Sequence, residues 1–204
     1  MKHIKPEWVI FDVGGVIFDY QAAFAEIAEY LEIEKEHIAE KIGAFQGDPE
    51  RGGILFEEIL QRVLADLQKA HEYEKVSKMW WDVQWFLSGT RQLATELKQA
   101  GYKLAFLTNN WAGMGERILQ EVPEFGMIDM LFESSKEGLR KPEMAFYQLV
   151  ENRTGATGSS LYFIDDSPKF VSAAKVRDWQ TFLYELGTDK GESANKKIRE
   201  HLLP

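Results

Sequence analysis

The sequence predicts an α/β protein: a Rossmann-like parallel sheet with helices on both faces, and an inserted helical cap. Two observations support this prediction. From residue 88 onward, apolar strand-like runs alternate with amphipathic helical stripes, which favours a parallel sheet covered on both sides. Between the first strand and this alternation, residues 20–87 show helical periodicity alone. We therefore expect a core formed by residues 1–19 and 88–204, and a helical cap formed by residues 20–87.

The first strand is predicted at Trp8 to Phe11, a continuous run of β-branched and aromatic residues typical of a strand buried on both faces. Asp12 follows at its carboxyl end, where open α/β sheets place their ligands. Gly14 and Gly15 come next and permit a turn with positive φ, in which backbone amides approach an anion closely. A nucleophilic carboxylate facing a phosphate fits this pattern, and a strand ended by an ordinary turn fits it as well.

Residues 20–87 contain about four amphipathic helices and no convincing strand. The segment from Gln46 to Gly53 contains a proline and three glycines, so it is expected to interrupt them. Fourteen acidic residues face seven basic ones here, which accounts for most of the net charge of −9.

The alternating part is predicted to open with a helix capped at Ser88-Gly89-Thr90, and to continue with strands at 103–108, 127–132, 161–164 and 181–184. Pro142 suits the first turn of a helix. Residues 193–203 form a further short helix in this interpretation.

Composition excludes several classes of protein. The acidic balance, 33 acidic against 24 basic residues, argues against a nucleic-acid partner. With no cysteine, the chain has no disulfide and no thiolate metal site. Neither an apolar signal region nor a membrane span is visible. We expect a soluble cytoplasmic protein, a monomer or a homodimer.

Three further strand ends carry groups capable of chemistry. Thr108 and Asn109 offer a hydroxyl and backbone amides to an oxyanion, and Lys141 could neutralise a phosphate. Asp165 and Asp166 are adjacent carboxylates suited to a hard cation such as Mg²⁺. Each group also has an interpretation without chemistry. Thr108 and Asn109 fit an ordinary loop, Lys141 fits a solvated charge, and Asp165 and Asp166 fit a helix cap. Four such groups at successive strand ends favour an active site.

In this order, FDVGGV, LTNN, the lysine of RKPE and FIDD resemble the four motifs of the haloacid dehalogenase superfamily. The resemblance covers nearly the whole chain and implies that Asp12 is a nucleophile that forms an aspartyl-phosphate. It also implies that the partner is a small phosphorylated metabolite. It further implies that strands one and four are neighbours. By the same resemblance, phosphate contacts come from Gly14, Gly15, Thr108, Asn109 and Lys141. Mg²⁺ would be held by Asp12, the Gly14 carbonyl and Asp166, with Asp165 as a further ligand or a supporting partner.

One position departs from the family pattern. Phosphatases of this family usually carry a second Asp, a general acid and base, where this chain has Gly14. Bacterial sugar-phosphate phosphatases similar to α-D-glucose-1-phosphate phosphatase also lack it and have a comparable RKPE segment, which favours a sugar phosphate as substrate. Asp19 could replace the missing acid, although a solvated acid at a helix start is the plainer interpretation.

Two alternatives to a Mg²⁺-dependent phosphatase stay open. A dehalogenase of this family uses the same nucleophile without a metal, and the pair Asp165 and Asp166 argues against it. A non-catalytic protein that binds a phosphometabolite or a protein partner is favoured by Gly14 and opposed by the intact motifs. The aromatic residues of the cap, Trp80, Trp81 and Trp85, are expected mainly in its core, with one of them facing the site. Trp111 lines the pocket mouth or packs under the cap.

Overall fold

A computed structural model describes residues 4–203, apart from the side chains of residues 48 and 49. Five parallel strands form one sheet in the order β3-β2-β1-β4-β5. This order makes β1 the central strand and the neighbour of β4, as the sequence resemblance implied. The strands are β1 (Trp8–Phe11), β2 (Lys103–Thr108), β3 (Met130–Glu133), β4 (Leu161–Asp165) and β5 (Gln180–Leu183).

Ten α-helices and five short 3₁₀ turns lie within the described chain, between the strands and after the last one. Four of the α-helices precede β2 within residues 20–87, in agreement with the sequence pattern. The α-helices are α1 (Tyr20–Leu31), α2 (Lys35–Gly43), α3 (Phe56–Asp66), α4 (Tyr73–Trp80), α5 (Ser88–Gln99), α6 (Met114–Glu121), α7 (Ser134–Glu137), α8 (Met144–Thr154), α9 (Pro168–Lys175) and α10 (Glu192–Leu202).

Both faces of the sheet are buried, because the side chains of β1 alternate between two apolar clusters. Val9 and Phe11 belong to the cluster that contains apolar residues of α5 and α10. Trp8 and Ile10 belong to the cluster that contains residues of α8 and α9. The predicted Rossmann-like sheet, covered on both faces, is therefore confirmed.

The inserted helices α1 to α4 pack around a shared apolar interior, to which Ile27, Ile38, Leu60 and Trp80 contribute. This interior is continuous with the core cluster on the Val9 face of the sheet. The insertion consequently rests on the same side of the molecule as α5, near the carboxyl ends of the strands. No helix within residues 4–203 is long and apolar enough to cross a membrane.

Several local predictions were wrong. Helix α5 begins at Ser88 with Leu87 as its N-cap and without a side-chain cap, so Ser88 is not the capping residue. The third strand starts at Met130, because residues 123–127 form a 3₁₀ turn opened by Pro123. Helix α8 begins at Met144, two residues after Pro142. These are errors at the ends of elements. Helix α7 was not predicted, and it separates Lys141 from the end of β3, where that lysine was expected. The other helices and strands follow the predicted order.

Candidate active site

Three carboxylates meet at the carboxyl edge of the sheet. Asp12 directly follows β1, while Asp165 is the last residue of β4 and Asp166 comes next. Since β1 and β4 are adjacent and parallel, their ends lie side by side. One oxygen from each of the three carboxylates lies within 4.8 Å of the others.

A fully buried lysine lies among these carboxylates. The Nζ atom of Lys141 is 2.9 Å from Asp12 Oδ1 and 2.7 Å from Asp165 Oδ2, and the residue is only 1% exposed. Asn109 holds its backbone from both sides: Asn109 Oδ1 accepts the Lys141 N–H at 2.8 Å and Asn109 Nδ2 donates to the Lys141 carbonyl at 3.1 Å. The alternative of a solvated lysine is therefore wrong. No pattern in the sequence indicated that Asn109 positions the Lys141 backbone.

The two carboxylates after β4 have different surroundings. Asp165 is fully buried, and its two oxygens accept hydrogen bonds from the Ser167 N–H, at 2.8 Å, and from Lys141. Asp166 is half-buried and lines the cavity above the sheet edge. Both Asp165 oxygens are thus engaged, whereas Asp166 faces the space where a ligand would lie.

The glycine turn after Asp12 leaves space for the Asp166 carboxylate. Gly15 has a φ of +70°, and a Cβ atom on it would lie 2.2 Å from Asp166 Oδ2. Glycine is needed there because a side chain would be both strained and in collision. Gly14 does not have positive φ, and a Cβ on it would meet only the Tyr20 ring at 3.6 Å. Positive φ in this turn therefore belongs to Gly15 alone.

Negative charge accumulates at this edge of the sheet. Burial, followed by repulsion from Asp165 and Asp166, raises the pKa of Asp12 to about 8 despite the attraction of Lys141. Burial and the charge of Asp165 also raise the pKa of Asp166. Burial alone would lower the pKa of Lys141, but the carboxylates of Asp12 and Asp165 outweigh it and raise that pKa.

The donor set suits a divalent cation. Three carboxylates and one ammonium carry a formal charge of −2, which a single divalent ion would balance. Oxygen is the ligand atom that Mg²⁺ prefers, and the clustered carboxylates offer it within a narrow space. Thr108 ends β2 beside them, is 1% exposed and lines the same cavity.

The loop after Thr108 is fixed by a residue that the sequence analysis missed. Ser134 Oγ accepts the Asn110 N–H at 2.9 Å and donates to the Asn110 carbonyl at 3.1 Å. Ser134 directly follows β3, the neighbour of β2, so adjacent strand ends hold this loop in place. A serine after a short strand is too common a pattern to have revealed this contact.

A cavity of about 270 Å³ lies above the strand ends, between them and the inserted helices. Asp12, Gly14, Thr108, Asn109, Lys141 and Asp166 line its floor. Trp80, Trp81 and Trp111 also line it, whereas Trp85 is buried elsewhere. Two of the three cap tryptophans therefore line the cavity, where one was expected.

Asp19 is not among the residues that line this cavity. Its carboxylate caps α1 by accepting the Ala22 N–H at 3.0 Å, and the residue is buried. The description of Asp19 as a helix-start acid is correct, but its description as solvated is wrong.

The segment that interrupts the inserted helices docks onto the core. Glu50 Oε2 lies 2.9 Å from Arg140 Nη2, and both residues line the cavity. Arg51 pairs with Glu143, and it donates to the Gly138 carbonyl at 2.8 Å. These ion pairs join residues distant in sequence, so periodicity along the chain could not reveal them.

A family model described as a haloacid dehalogenase-like hydrolase matches residues 6–176. The chain belongs to this family. Phosphatase MT3486 of Mycobacterium tuberculosis (strain CDC 1551 / Oshkosh) is 25% identical over 189 residues, which cover 87% of this chain and 86% of that protein. Sesquiterpene phosphatase astK of Aspergillus oryzae is 31% identical over 84 residues, 41% of this chain and 43% of that protein.

Solved structures share the fold of this haloacid dehalogenase-like hydrolase. One is a HAD family enzyme of Bacteroides thetaiotaomicron in complex with magnesium and inorganic phosphate, with a TM-score of 0.68, 18% identity, and coverage of 90% of this chain and 96% of that one. Another is a dehalogenase with an intermediate complex, with a TM-score of 0.77, 14% identity, and coverage of 98% and 99%. At these identities the likeness establishes the fold only.

Proposed function

We propose that this haloacid dehalogenase-like hydrolase is a Mg²⁺-dependent phosphomonoesterase that cleaves a small phosphorylated metabolite through an aspartyl-phosphate on Asp12. The observation that carries the proposal is the cluster of three carboxylates and one buried lysine on the floor of a cavity. A relative aligned over most of both chains is named a phosphatase, and a structural neighbour was crystallised with magnesium and inorganic phosphate.

In the first step an Asp12 carboxylate oxygen attacks phosphorus, and the bond from phosphorus to the ester oxygen breaks. The departing alcohol oxygen takes a proton from water. In the second step water attacks the phosphorus of the aspartyl-phosphate, releases inorganic phosphate and a proton, and restores the Asp12 carboxylate. Dividing the hydrolysis in this way replaces one difficult displacement with two easier ones.

Lys141 favours the ionised form of Asp12 and orients it, because its ammonium contacts the attacking carboxylate and is itself anchored by Asp165. Asn109 fixes the backbone of Lys141, so the ammonium is held before substrate arrives. We assign the Thr108 hydroxyl, the Asn109 loop and the Gly15 turn to contacts with the phosphoryl oxygens.

Asp12, Asp166 and the Gly14 carbonyl would hold Mg²⁺, which would neutralise the carboxylates and the phosphoryl oxygens together. We assign Asp165 to a supporting role, since both of its oxygens already accept hydrogen bonds. This assignment chooses between the two roles that the sequence resemblance left open for Asp165.

Residues 20–87 would act as a cap. The inserted helices roof the cavity, so a bound ester would be shielded from bulk water and its alcohol portion would contact the cap. The cap would therefore select substrates, while the core would supply the chemistry.

The charge of the site also weighs against the alternatives. A metal-independent dehalogenation would leave the excess negative charge of the carboxylate cluster uncompensated while Asp12 attacks, which disfavours the reaction. A binding protein without catalysis would not need Lys141 buried against Asp12. The sugar phosphate that the sequence resemblance implies stays a prediction.

Phosphate release from a panel of esters, with Mg²⁺ or with chelator, tests the proposal. Asp12→Asn keeps the shape of the side chain but cannot attack phosphorus, so turnover should vanish while the protein stays folded by circular dichroism. Asp66→Asn, on a side chain that is 72% exposed, is the matched control and should retain full activity. Phosphate release by the folded Asp12→Asn variant, or chloride release from a chloro acid in chelator, would contradict the proposal.

A further inference from the structure

The wall of the cavity opposite the carboxylates is mostly apolar. The inserted helices contribute Phe24, Ile42, Trp80 and Trp81, and the core adds Trp111, Met114 and Phe170. Tyr20, Gln46 and Glu50 are the polar side chains that the insertion adds to the described lining. Other aromatic rings contact the tryptophans of this wall. The ring centroid of Trp80 lies 5.0 Å from that of Phe24 and 4.9 Å from that of Phe56. The Trp111 ring stacks on Phe56 at a centroid distance of 5.7 Å. The rings of the wall are therefore packed against one another, and the wall offers aromatic and aliphatic side chains to the alcohol portion of an ester.

Few side chains of the wall could accept a hydrogen bond from a ligand. Glu50 Oε2 is occupied, because it lies 2.9 Å from Arg140 Nη2 and accepts the Gly47 N–H. The other potential acceptors that the insertion adds to the described lining are Glu50 Oε1 and the side-chain oxygens of Gln46 and Tyr20. The buried side-chain groups of the described wall that lack a partner are all donors: Trp80 Nε1, Trp81 Nε1 and Asn110 Nδ2. Each hydroxyl of a sugar must donate a hydrogen bond when it leaves water, so a polyol with several hydroxyls would need more acceptors than these few groups supply.

The carboxylates that line the described cavity are Asp12, Glu50 and Asp166. The proposed function uses Asp12 as nucleophile and Asp166 as a metal ligand, and Glu50 is held by Arg140. No lining carboxylic acid is therefore left to protonate the departing oxygen, which takes its proton from water. Alcohols that are themselves acidic leave most readily under these conditions, and phenols meet this requirement while also matching the aromatic wall.

We infer that the substrate is the phosphate ester of a compact apolar ring alcohol, aromatic or alicyclic, with phenolic esters cleaved fastest. This inference rests on the proposed phosphatase activity and names its leaving group. A volume of about 270 Å³ is near the lower end of the range of roughly 300–1,000 Å³ that small-molecule sites occupy, which suits one ring rather than a long chain.

A pair of esters matched in ring size and in leaving group tests the inference. Cyclohexylmethyl phosphate and glucose 6-phosphate are both primary alkyl esters of a six-membered ring, and they differ chiefly in the sugar's ring oxygen and hydroxyls. With Mg²⁺ present, kcat/KM should be at least about 100-fold higher for cyclohexylmethyl phosphate, and higher again for phenyl phosphate.

Two variants on one helix show whether the apolar wall causes the preference for cyclohexylmethyl phosphate over glucose 6-phosphate. Ile42 and Ile38 both lie on α2 and are 1% and 0% exposed, but only Ile42 lines the cavity. Ile42→Ala should lower the preference for cyclohexylmethyl phosphate over glucose 6-phosphate about tenfold. Both variants should lower the melting temperature by similar amounts. Ile38→Ala should leave the substrate preference unchanged.

The outcomes separate this inference from the proposed function. Phosphate release with equal or better kcat/KM for glucose 6-phosphate would overturn the apolar leaving group and leave the phosphatase assignment standing. An equal loss of preference in Ile38→Ala and Ile42→Ala would also overturn it, because the wall would then not be the cause. Failure of every ester, with protein that is folded and supplied with Mg²⁺, would overturn both the inference and the proposed function.

Discussion

Replacing Asp12 with Asn is expected to remove most of the pH dependence of stability that the metal-free protein shows from about pH 6 to pH 8. Burial raises the pKa of Asp12 from 3.8 to about 8. Over this interval the folded state therefore retains a proton that the unfolded state has released. The resulting stabilisation is complete below the ordinary carboxyl pKa and is lost as the pH rises towards the folded-state value.

The magnitude follows from that pKa. One proton contributes about 1.4 kcal/mol per pH unit, and Asp12 titrates partly before pH 8, so the free energy of unfolding should fall by about 2 kcal/mol from pH 6 to pH 8. Asparagine cannot titrate, so the variant should lose most of this fall. A smaller slope should persist, because the pKa of Asp166 is raised in the same direction.

Urea unfolding in chelator, followed by tryptophan fluorescence at several pH values, measures the effect. Asp66→Asn removes an exposed carboxylate and should retain the wild-type slope. Mg²⁺ should stabilise the wild type more at pH 8 than at pH 6, because metal and proton compete for Asp12. Parallel pH profiles for wild type and Asp12→Asn would refute the argument that Asp12 carries the raised pKa in this cluster.

Three further predictions concern the residues around Asp12. Asp166→Ala should weaken the apparent Mg²⁺ affinity far more than Asp165→Ala does in calorimetric titration; the reverse order would make Asp165 the ligand. Gly15→Ala should lower that affinity by about tenfold or more, because its Cβ would displace the Asp166 carboxylate. Gly14→Asp fits beside the Tyr20 ring and should flatten the dependence of rate on leaving-group pKa across a series of aryl and alkyl phosphates. A flat series in the wild type would mean that another acid already supplies the proton.

Site residues were most predictable from the sequence where a reactive side chain lies at the end of a strand. Asp12, Thr108 and Asp165 each follow or end an apolar run, and a parallel sheet brings such positions together whatever the details of packing. The sheet and its helical insertion were predictable for the same reason, since periodicity along the chain reflects which faces are buried.

Contacts between distant segments were not predictable in this way. Nothing local distinguishes Lys141 from a solvated lysine before a proline, and its burial depends on Asn109, Asp12 and Asp165 together. The ion pair of Glu50 with Arg140 likewise joins the insertion to the core. Such contacts depend on how distant segments pack in three dimensions. The pattern of residue types along the chain does not show which distant residues will meet.

The central position of β1 has a consequence for how the protein acquires its site during synthesis. Trp8 pairs with Lys103 on one side and with Leu161 on the other. Strand β1 is therefore synthesised well before the two strands with which it pairs, β2 and β4. Asp12 meets Asp166 only after β4 has been made and docked. A shorter nascent chain therefore lacks the carboxylate cluster, and high-affinity metal binding would report that the sheet is complete.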